Sequence, residues 1–562
     1  MAIQDGRLID EGAELGCDVC IVGGGAAGIT LALELARTSQ SVILIEAGDW
    51  RPDAKTQKLY EGEVENEELH SLPQYYRQRR FGGSTTIWSG RCVPYDPVDF
   101  ETRPFMPHSG WPFGRDELDP YYARATSICE AGEPAFRVAE ALPDARREMI
   151  PGFSSDRVET DGLERFSRPT NFARRYREAL EQAPDVRVIL NSNCTHLAAS
   201  TESPVIERLE IATLEGRRFS IRARRVALAT GGLEVTRLLL ASRDVYHEGL
   251  GNESGMLGRY YMCHVAGTLG RLRLAGPQPR DFHGYEISPD GIYCRRRLQL
   301  AQAVQRALEI GNLIARIHHP TIADPRHGTG PLSALYLARK LLRREFRKRA
   351  SDGYHSKALW ARHAGNVLND PLYTMAFFWN GLSRRALASR KFPSVIVTPR
   401  SRRFTLDFHA EQAPNPASRV WLSEQCDSLG MPRLHVDWRY KPLDVRTVRE
   451  SFRVFAEEFQ RTGVGRLEFD DAEVEHSICR EGAYGGHHIG TTRMSDSPSQ
   501  GVVDRDCRVH GLENLYVASS SVFPTSSQAN PTLTIVALTL RLARHLEQAA
   551  VHDLEPLCAA AC

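Results

Sequence analysis

The residues best able to do chemistry stand near the two ends of this 562-residue chain. Near the N-terminus an apolar run from Val19 to Val22 enters Gly23-Gly24-Gly25-Ala26-Ala27-Gly28. A stretch rich in Ala and Leu follows, and a second apolar run, Val42 to Ile45, ends at Glu46. Strand, glycine turn, helix, strand and acid, in that order, suit a bound dinucleotide. Gly23 permits the tight turn, Gly25 lets the backbone approach a pyrophosphate, and Gly28 lets helix and strand pack closely. Backbone N–H groups at the helix start then face the phosphates, and Glu46 is placed to accept a ribose hydroxyl. Near the C-terminus His487 and His488 precede Ile489-Gly490-Thr491. A histidine that is neutral near pH 7 and held within hydrogen-bond reach can take a proton from a hydroxyl; paired structural histidines beside a glycine turn are the alternative. Asn530 can orient an oxygen and stabilise alkoxide character as its proton leaves. Followed by Pro531 and an apolar stretch from Thr532 to His545, it also reads as a helix cap. Cys17 and Cys20 form a CxxC, but strand residues three apart point to opposite faces and no second CxxC completes a metal site. They read as small strand residues, and no metal is expected.

The rest of the chain must position these groups. With 42% hydrophobic and 25% charged residues it can bury a sizeable core, and its length allows roughly three to four domains. Basic and acidic residues number 71 and 70, which argues against a nucleic-acid binder. No run approaches the roughly 18 apolar residues that a membrane-spanning helix needs. The first residues, MAIQDGRLIDEGAELG, have neither a basic start nor an apolar core, so no secretory signal is expected. Twelve Cys without framework spacing fit a reducing compartment, and a cytoplasmic location is the expectation.

Four further segments extend the pattern. Residues 77–94 read RQRRFGGSTTIWSGRCVP, where Gly82-Gly83 and the small hydroxyl residues after them make a loop able to run against a flat ring. Residues 226–242 read VALATGGLEVTRLLLAS, residues 484–494 read YGGHHIGTTRM, and residues 513–534 read ENLYVASSSVFPTSSQANPTLT. Together with the opening motif these resemble the glucose–methanol–choline (GMC) flavoprotein oxidoreductases. HSGWPFGRDELDPYYARA (108–125), GMLGRYYMCH (255–264) and EQAPNPASRVWLSEQCDSLGMPRLHVDW (411–438) place the likeness nearest the pyranose oxidase and bacterial sugar or glycoside dehydrogenase branch. The resemblance implies an α/β fold: a Rossmann-like FAD-binding domain from residues 1–105, 176–264 and 480–562, and an α+β substrate domain with an antiparallel sheet from 106–175 and 265–479. It implies FAD held by Gly23, Gly25, Gly28, Glu46, Gly82, Gly83, Thr85, Thr86, Trp88, Ser89, Ala229, Gly231, Pro531 and Thr532. The family pattern H-x-x-G-T falls on His487 as catalytic base, with Asn530 as its partner and hydride passing from the carbinol carbon to flavin N5. Covalently flavinylated members carry a His directly before the loop Trp; here that position is Ile87, so noncovalent FAD is expected.

The expected activity is oxidation of an alcohol, a secondary hydroxyl of a sugar, glycoside or cyclitol-like ring, with Glu411 and Gln412 able to bind sugar hydroxyls from the end of a strand. Oxygen, a quinone and a protein carrier all stay open as electron acceptor. Residues 330–392 do not fit the compact family core. Leu332 to Ala350 reads as a helix with seven basic residues, Arg339, Lys340, Arg343, Arg344, Arg347, Lys348 and Arg349, opposed only by Glu345. Leu335, Tyr336, Leu342 and Phe346 could supply one apolar stripe, and a second apolar segment runs from Leu372 to Trp379. An interfacial membrane element, a substrate lid, a protein-docking face and a plain solvated surface are the readings, and the first brings a lipophilic alcohol in as second substrate class. An FAD-containing lyase and a noncatalytic flavin-bound partner protein are the rivals to the oxidoreductase.

Overall fold

The computed structural model describes residues 2–275, 283–339, 357–386, 393, 396–399 and 401–559. The opening motif folds as its pattern requires. Val19–Val22 and Val42–Ile45 are buried throughout, as parallel strands covered on both faces must be. They lie in an eight-stranded sheet ordered Ile3–Asp5, Val186–Leu190, Val42–Ile45, Glu14–Val22, Arg218–Leu228, Ile206–Ala212 and Asn193–Ala199, with Leu515–Val517 also paired to Arg218–Leu228. Pairing is parallel from Ile3–Asp5 as far as Arg218–Leu228 and on to Leu515–Val517, whereas Ile206–Ala212 and Asn193–Ala199 join antiparallel. Both ends of the chain thus build one Rossmann-like sheet, and the helices Ala26–Leu35 and Thr532–Ala559 pack on each other beside it. The last of these continues well past His545.

The second layer is antiparallel. Gly465–Glu468, Met262–Leu274, Arg403–Ala410, Leu313–His318, Leu298–Leu300 and Val158–Glu159 pair in that order, and Ala483–Ile489 joins on Met262–Leu274. The helix Pro442–Thr462 covers this sheet because Val445, Val448, Phe452, Phe455 and Phe459 alternate at three and four residues and form one stripe. All five are buried with Leu272, Leu406 and Phe408 of the sheet. Asp444 accepts the N–H of Lys441 at 2.6 Å to start the helix, and Gly463 ends it at φ +71°.

The two layers interlock more than the sequence boundaries suggest. Met262–Leu274 runs unbroken across residue 264/265, and Ala483–Ile489 pairs with it although residues 480–562 were assigned to the cofactor-binding part. That pairing sets His487 at the junction of the layers. In the basic segment, Gly330–Leu337 is a helix; Lys340, Arg343, Arg344, Glu345, Arg347, Lys348, Arg349, Leu342 and Phe346 lie outside the described residues. The apolar run Leu372 to Trp379 falls within the helix Pro371–Gly381. Among the described residues no helix is long and apolar enough to cross a membrane.

Candidate active site

A cavity of about 430 Å³ is walled by residues from both ends of the chain. Gly23 turns at φ +108°, and a Cβ there would lie 2.7 Å from the Ala229 carbonyl oxygen, so no side chain fits between the two strand ends. A Cβ on Gly28 would stand 1.9 Å from the Gly23 carbonyl, whereas one on Gly25 would meet no atom within 4 Å. Helix and strand close up at Gly28, and the cavity opens at Gly25. Glu46 is buried on the cavity wall; its Oε2 accepts the Gly24 N–H at 2.8 Å and its Oε1 the Gly48 N–H at 2.9 Å. Burial pushes its carboxyl pKa up against the pull of those donors.

The loop after Phe81 is tied to the glycine turn by the Gly82 N–H, which donates to the Gly24 carbonyl at 2.8 Å. Gly83, Thr85, Trp88, Ser89, Ala229, Gly231, Pro531 and Thr532 all line the cavity. Gly28, Gly82 and Thr86 do not: Gly28 and Gly82 shape the backbone behind the wall, and the Thr86 hydroxyl donates to the Gly83 carbonyl at 2.9 Å. Three buried polar atoms of wall residues, Thr230 Oγ1, Arg79 Nε and His488 Nε2, have no hydrogen-bond partner among the described residues. Orphaned buried polar groups call for a polar ligand. With the helix N-terminus at Ala26 and the acid at Glu46, they fit FAD.

His487 and Asn530 also line this cavity, with Asn530 Nδ2 at 3.3 Å from His487 Nε2. The direction of that bond follows from its neighbours. The Arg91 guanidinium, which can only donate, bonds Asn530 Oδ1, so Nδ2 must be the amide atom facing His487. Nδ2 in turn only donates, and His487 Nε2 therefore carries the lone pair. The ring proton sits on Nδ1, which lies 2.8 Å from His264 Nδ1 and donates to it. Burial, assisted by the Arg91 charge, pushes His487 down to about 4. It is neutral at pH 7, and its Nε2 lone pair, held here by the Asn530 N–H, is open to a hydroxyl that displaces that bond.

Arg91 is itself fixed. Its Nε donates to Glu164 Oε1 at 2.9 Å, and Arg316 Nε grips the same carboxylate at 2.8 and 3.0 Å while Nη1 reaches Asp407 at 2.8 Å. Burial raises the Glu164 carboxyl, but the Arg316 and Arg91 charges outweigh it and hold it at about 2. Arg91, Glu164, Arg316 and His264 were not foreseen from sequence. Nothing local distinguishes them from ordinary strand residues; each gains its role from a partner far away in the chain.

His488, one residue on, also lines the cavity but engages a different set of groups. Its Nδ1 lies 2.6 Å from the Tyr261 hydroxyl, which also meets His70 Nε2 at 2.8 Å and Cys263 Sγ at 3.3 Å. His70 Nδ1 donates to the Ser71 carbonyl at 2.6 Å, so its Nε2 accepts the Tyr261 proton, and the phenol oxygen accepts from His488 and Cys263. The three groups lie close enough to hold a metal, but each is already engaged by Tyr261. Glu411 and Gln412 require a correction: neither lines the cavity, and both are buried. Glu411 receives both Arg103 Nη atoms at 2.6 and 2.7 Å and the Asn312 N–H at 3.1 Å. Gln412 Oε1 accepts from the Cys263 N–H and Trp438 Nε1, each at 2.8 Å, and its Nε2 donates to the Arg439 carbonyl at 3.0 Å. Their polar atoms are spent on these partners, so they are not free for substrate.

Comparison with known proteins follows the same lines. Residues 18–306 match the FAD dependent oxidoreductase family and residues 414–539 the GMC oxidoreductase family. Paromamine 6′-oxidase of Streptomyces fradiae is 23% identical over 94% of this chain and 90% of its own. The fructose dehydrogenase large subunit of Gluconobacter japonicus is 22% identical over 94% and 97%. Among solved structures, pyridoxine 4-oxidase from Mesorbium loti superposes with a TM-score of 0.55 at 18% identity, covering 94% of this chain and 99% of that one, a likeness of fold.

Proposed function

Since the chain belongs to the FAD-dependent oxidoreductases, with a GMC oxidoreductase segment toward its C-terminus, we propose that it oxidises a secondary hydroxyl of a sugar, glycoside or cyclitol-like ring to a carbonyl, with His487 as base and Asn530 as its partner. The observation that carries this reading is the His487 Nε2–Asn530 Nδ2 pair on the cavity wall, 3.3 Å apart. A substrate hydroxyl that displaces this direct bond donates to Nε2 and accepts from Nδ2. As the proton passes to Nε2, the Asn530 N–H gains strength against the growing alkoxide. Arg91 holds the amide in the orientation that makes this possible, and His264 holds the imidazole proton on the far nitrogen. Bound FAD would supply the acceptor for the hydride that leaves the carbinol carbon. The relatives named for fructose and for paromamine support a sugar-like substrate.

FAD is held without a covalent bond in this reading, because Ile87 on the cavity wall offers no atom to form one. The ten cysteines described as free support a reducing compartment. An anaerobic screen of sugars, glycosides and fatty alcohols tests the activity. Bleaching of the flavin by a ring alcohol is the expected result and also excludes a lyase. An FAD-loaded protein that none of them bleaches would sink the proposal. Acid precipitation should leave a colourless pellet with FAD in the supernatant.

A further inference from the structure

None of the described residues of 330–392 lines the cavity, yet they carry a surface that solvent alone does not explain. The helices Gly330–Leu337, Lys357–Asn369 and Pro371–Gly381 pack on one another, and their inner faces are pinned. His363 is buried, its Nδ1 3.0 Å from Ser333 Oγ and its ring stacked 4.0 Å from that of Tyr336. Asn366 Nδ2 donates to the Pro325 carbonyl at 2.8 Å, and Thr374 is buried against Gly330, where a Cβ would strike its hydroxyl at 2.0 Å. These contacts fix which faces point outward.

The outward face is apolar. Leu372, Met375, Trp379 and Leu382 follow at intervals of three, four and three residues and so share one side. Leu372 is 79% exposed and Trp379 66%, and Phe378, Trp360 and Leu368 are exposed nearby in the chain. Seven of the thirteen exposed large hydrophobic residues of the described chain fall in this short stretch, whereas the others are dispersed as ordinary surface residues are. The sequence charge of this stretch is one-sided. Residues 330–392 hold thirteen basic and three acidic side chains, a local charge of +10 in a chain whose total is +1. Lys357, Arg362 and Arg384 stand exposed in the described part.

We propose that the helix pair Lys357–Asn369 and Pro371–Gly381 docks this enzyme onto an anionic phospholipid surface. Two Trp and an outward row of Leu, Met and Phe suit the boundary between headgroup and acyl chain, where amphipathic rings settle. Lys357 and Arg362 on these helices, and Arg384 just beyond them, complement anionic headgroups. A second copy of the chain is disfavoured as occupant, because it would set one +10 segment against another. Docking in this way is independent of which alcohol is oxidised.

Flotation of the FAD-loaded enzyme with phosphatidylcholine vesicles, with and without phosphatidylglycerol, tests this. The enzyme is expected to float only when phosphatidylglycerol is present. Leu372→Ser combined with Trp379→Ser should lower the floated fraction by about tenfold or more, and Arg362→Glu with Arg384→Glu should do likewise. Both variants should keep their flavin and their flavin reduction by alcohol in free solution. No flotation with phosphatidylglycerol overturns the proposal, as does flotation unchanged in the Leu372/Trp379 variant. A dimer in solution that this variant splits would overturn it too, by assigning the face to a second copy.

Discussion

Replacing His264 by Phe is the sharpest test of how the base is set. The Phe ring fills the space and keeps water out, but it accepts nothing, so the His487 Nδ1–H that now points at His264 Nδ1 over 2.8 Å loses its partner. An unpaired buried donor costs about 1–3 kcal/mol. The imidazole can escape that cost only by moving its proton to Nε2, where it meets the Asn530 N–H head-on. Flipping the Asn530 amide would relieve that clash but would turn its Nδ2 against the Arg91 guanidinium. With that escape blocked, the Nδ1–H lacks an acceptor just as it strengthens on uptake of the substrate proton, a loss of about 1–3 kcal/mol that should slow flavin reduction roughly 5- to 150-fold. The assay is anaerobic stopped-flow reduction by whichever alcohol the screen finds, with FAD content measured alongside. The limiting rate should fall while apparent substrate affinity and FAD content hold. His264→Gln, whose Oε1 can accept, should recover most of the loss, and the ring-nitrogen NMR shifts of His487 should show the proton on Nδ1 in wild type. A Phe variant at wild-type rate, or a Gln variant no faster than Phe, would refute the tautomer argument and leave His264 as packing alone.

Three other outcomes follow from the same geometry. Gly25→Val puts a side chain into open cavity and should abolish FAD retention with the apoprotein still folded, whereas Gly28→Ala, aimed at the Gly23 carbonyl 1.9 Å away, should cost about 1–3 kcal/mol of stability; FAD titration and thermal melts separate the two. Glu411→Ala strands the Arg103 charge in the interior and should destabilise by about 3–5 kcal/mol, visible in denaturant midpoints; a shift in sugar affinity at unchanged stability would instead restore a substrate role. Acid should act on both rate and stability. Burial holds His487 at about 4, and because only the neutral ring accepts a proton, flavin reduction should be flat from pH 8 to 5 and decline as pH falls through about 4. Burial likewise holds the buried His70 and His283 at about 4 against an ordinary value near 6.5, so the unfolded chain binds more protons between those values and stability is lost as pH falls through that window, by up to about 3 kcal/mol for each group. Melting temperatures from pH 7 to 4 that stay constant would count against that burial.

How much of this was legible in the sequence depended on distance along the chain. The dinucleotide cradle could be read directly, because the strand, turn, helix and acid from Val19 to Glu46 are contiguous and each residue type answers a local need. His487 and Asn530 stand 43 residues apart; either alone reads equally well as a turn or a cap, and only the likeness to a family joined them. Arg91 lies 439 residues from the Asn530 it orients, and His264 lies 223 from the His487 whose proton it receives. No periodicity or spacing carries such a relation, since it exists only once the Met262–Leu274 strand has paired with Ala483–Ile489. Glu411 and Gln412 failed for a related reason: sequence reports polarity but not burial, and two polar residues at a strand end were assigned to a pocket that folding placed elsewhere. The residues that take part in chemistry are thus found by type, whereas those that decide which nitrogen bears the lone pair are found by topology. In the proposed reaction the base is set by a chain of hydrogen bonds, Glu164 to Arg91 to Asn530 to His487 to His264, whose members come from separate stretches of the chain. If His487 and Asn530 act as proposed, breaking any link should weaken proton abstraction even where those two residues are untouched.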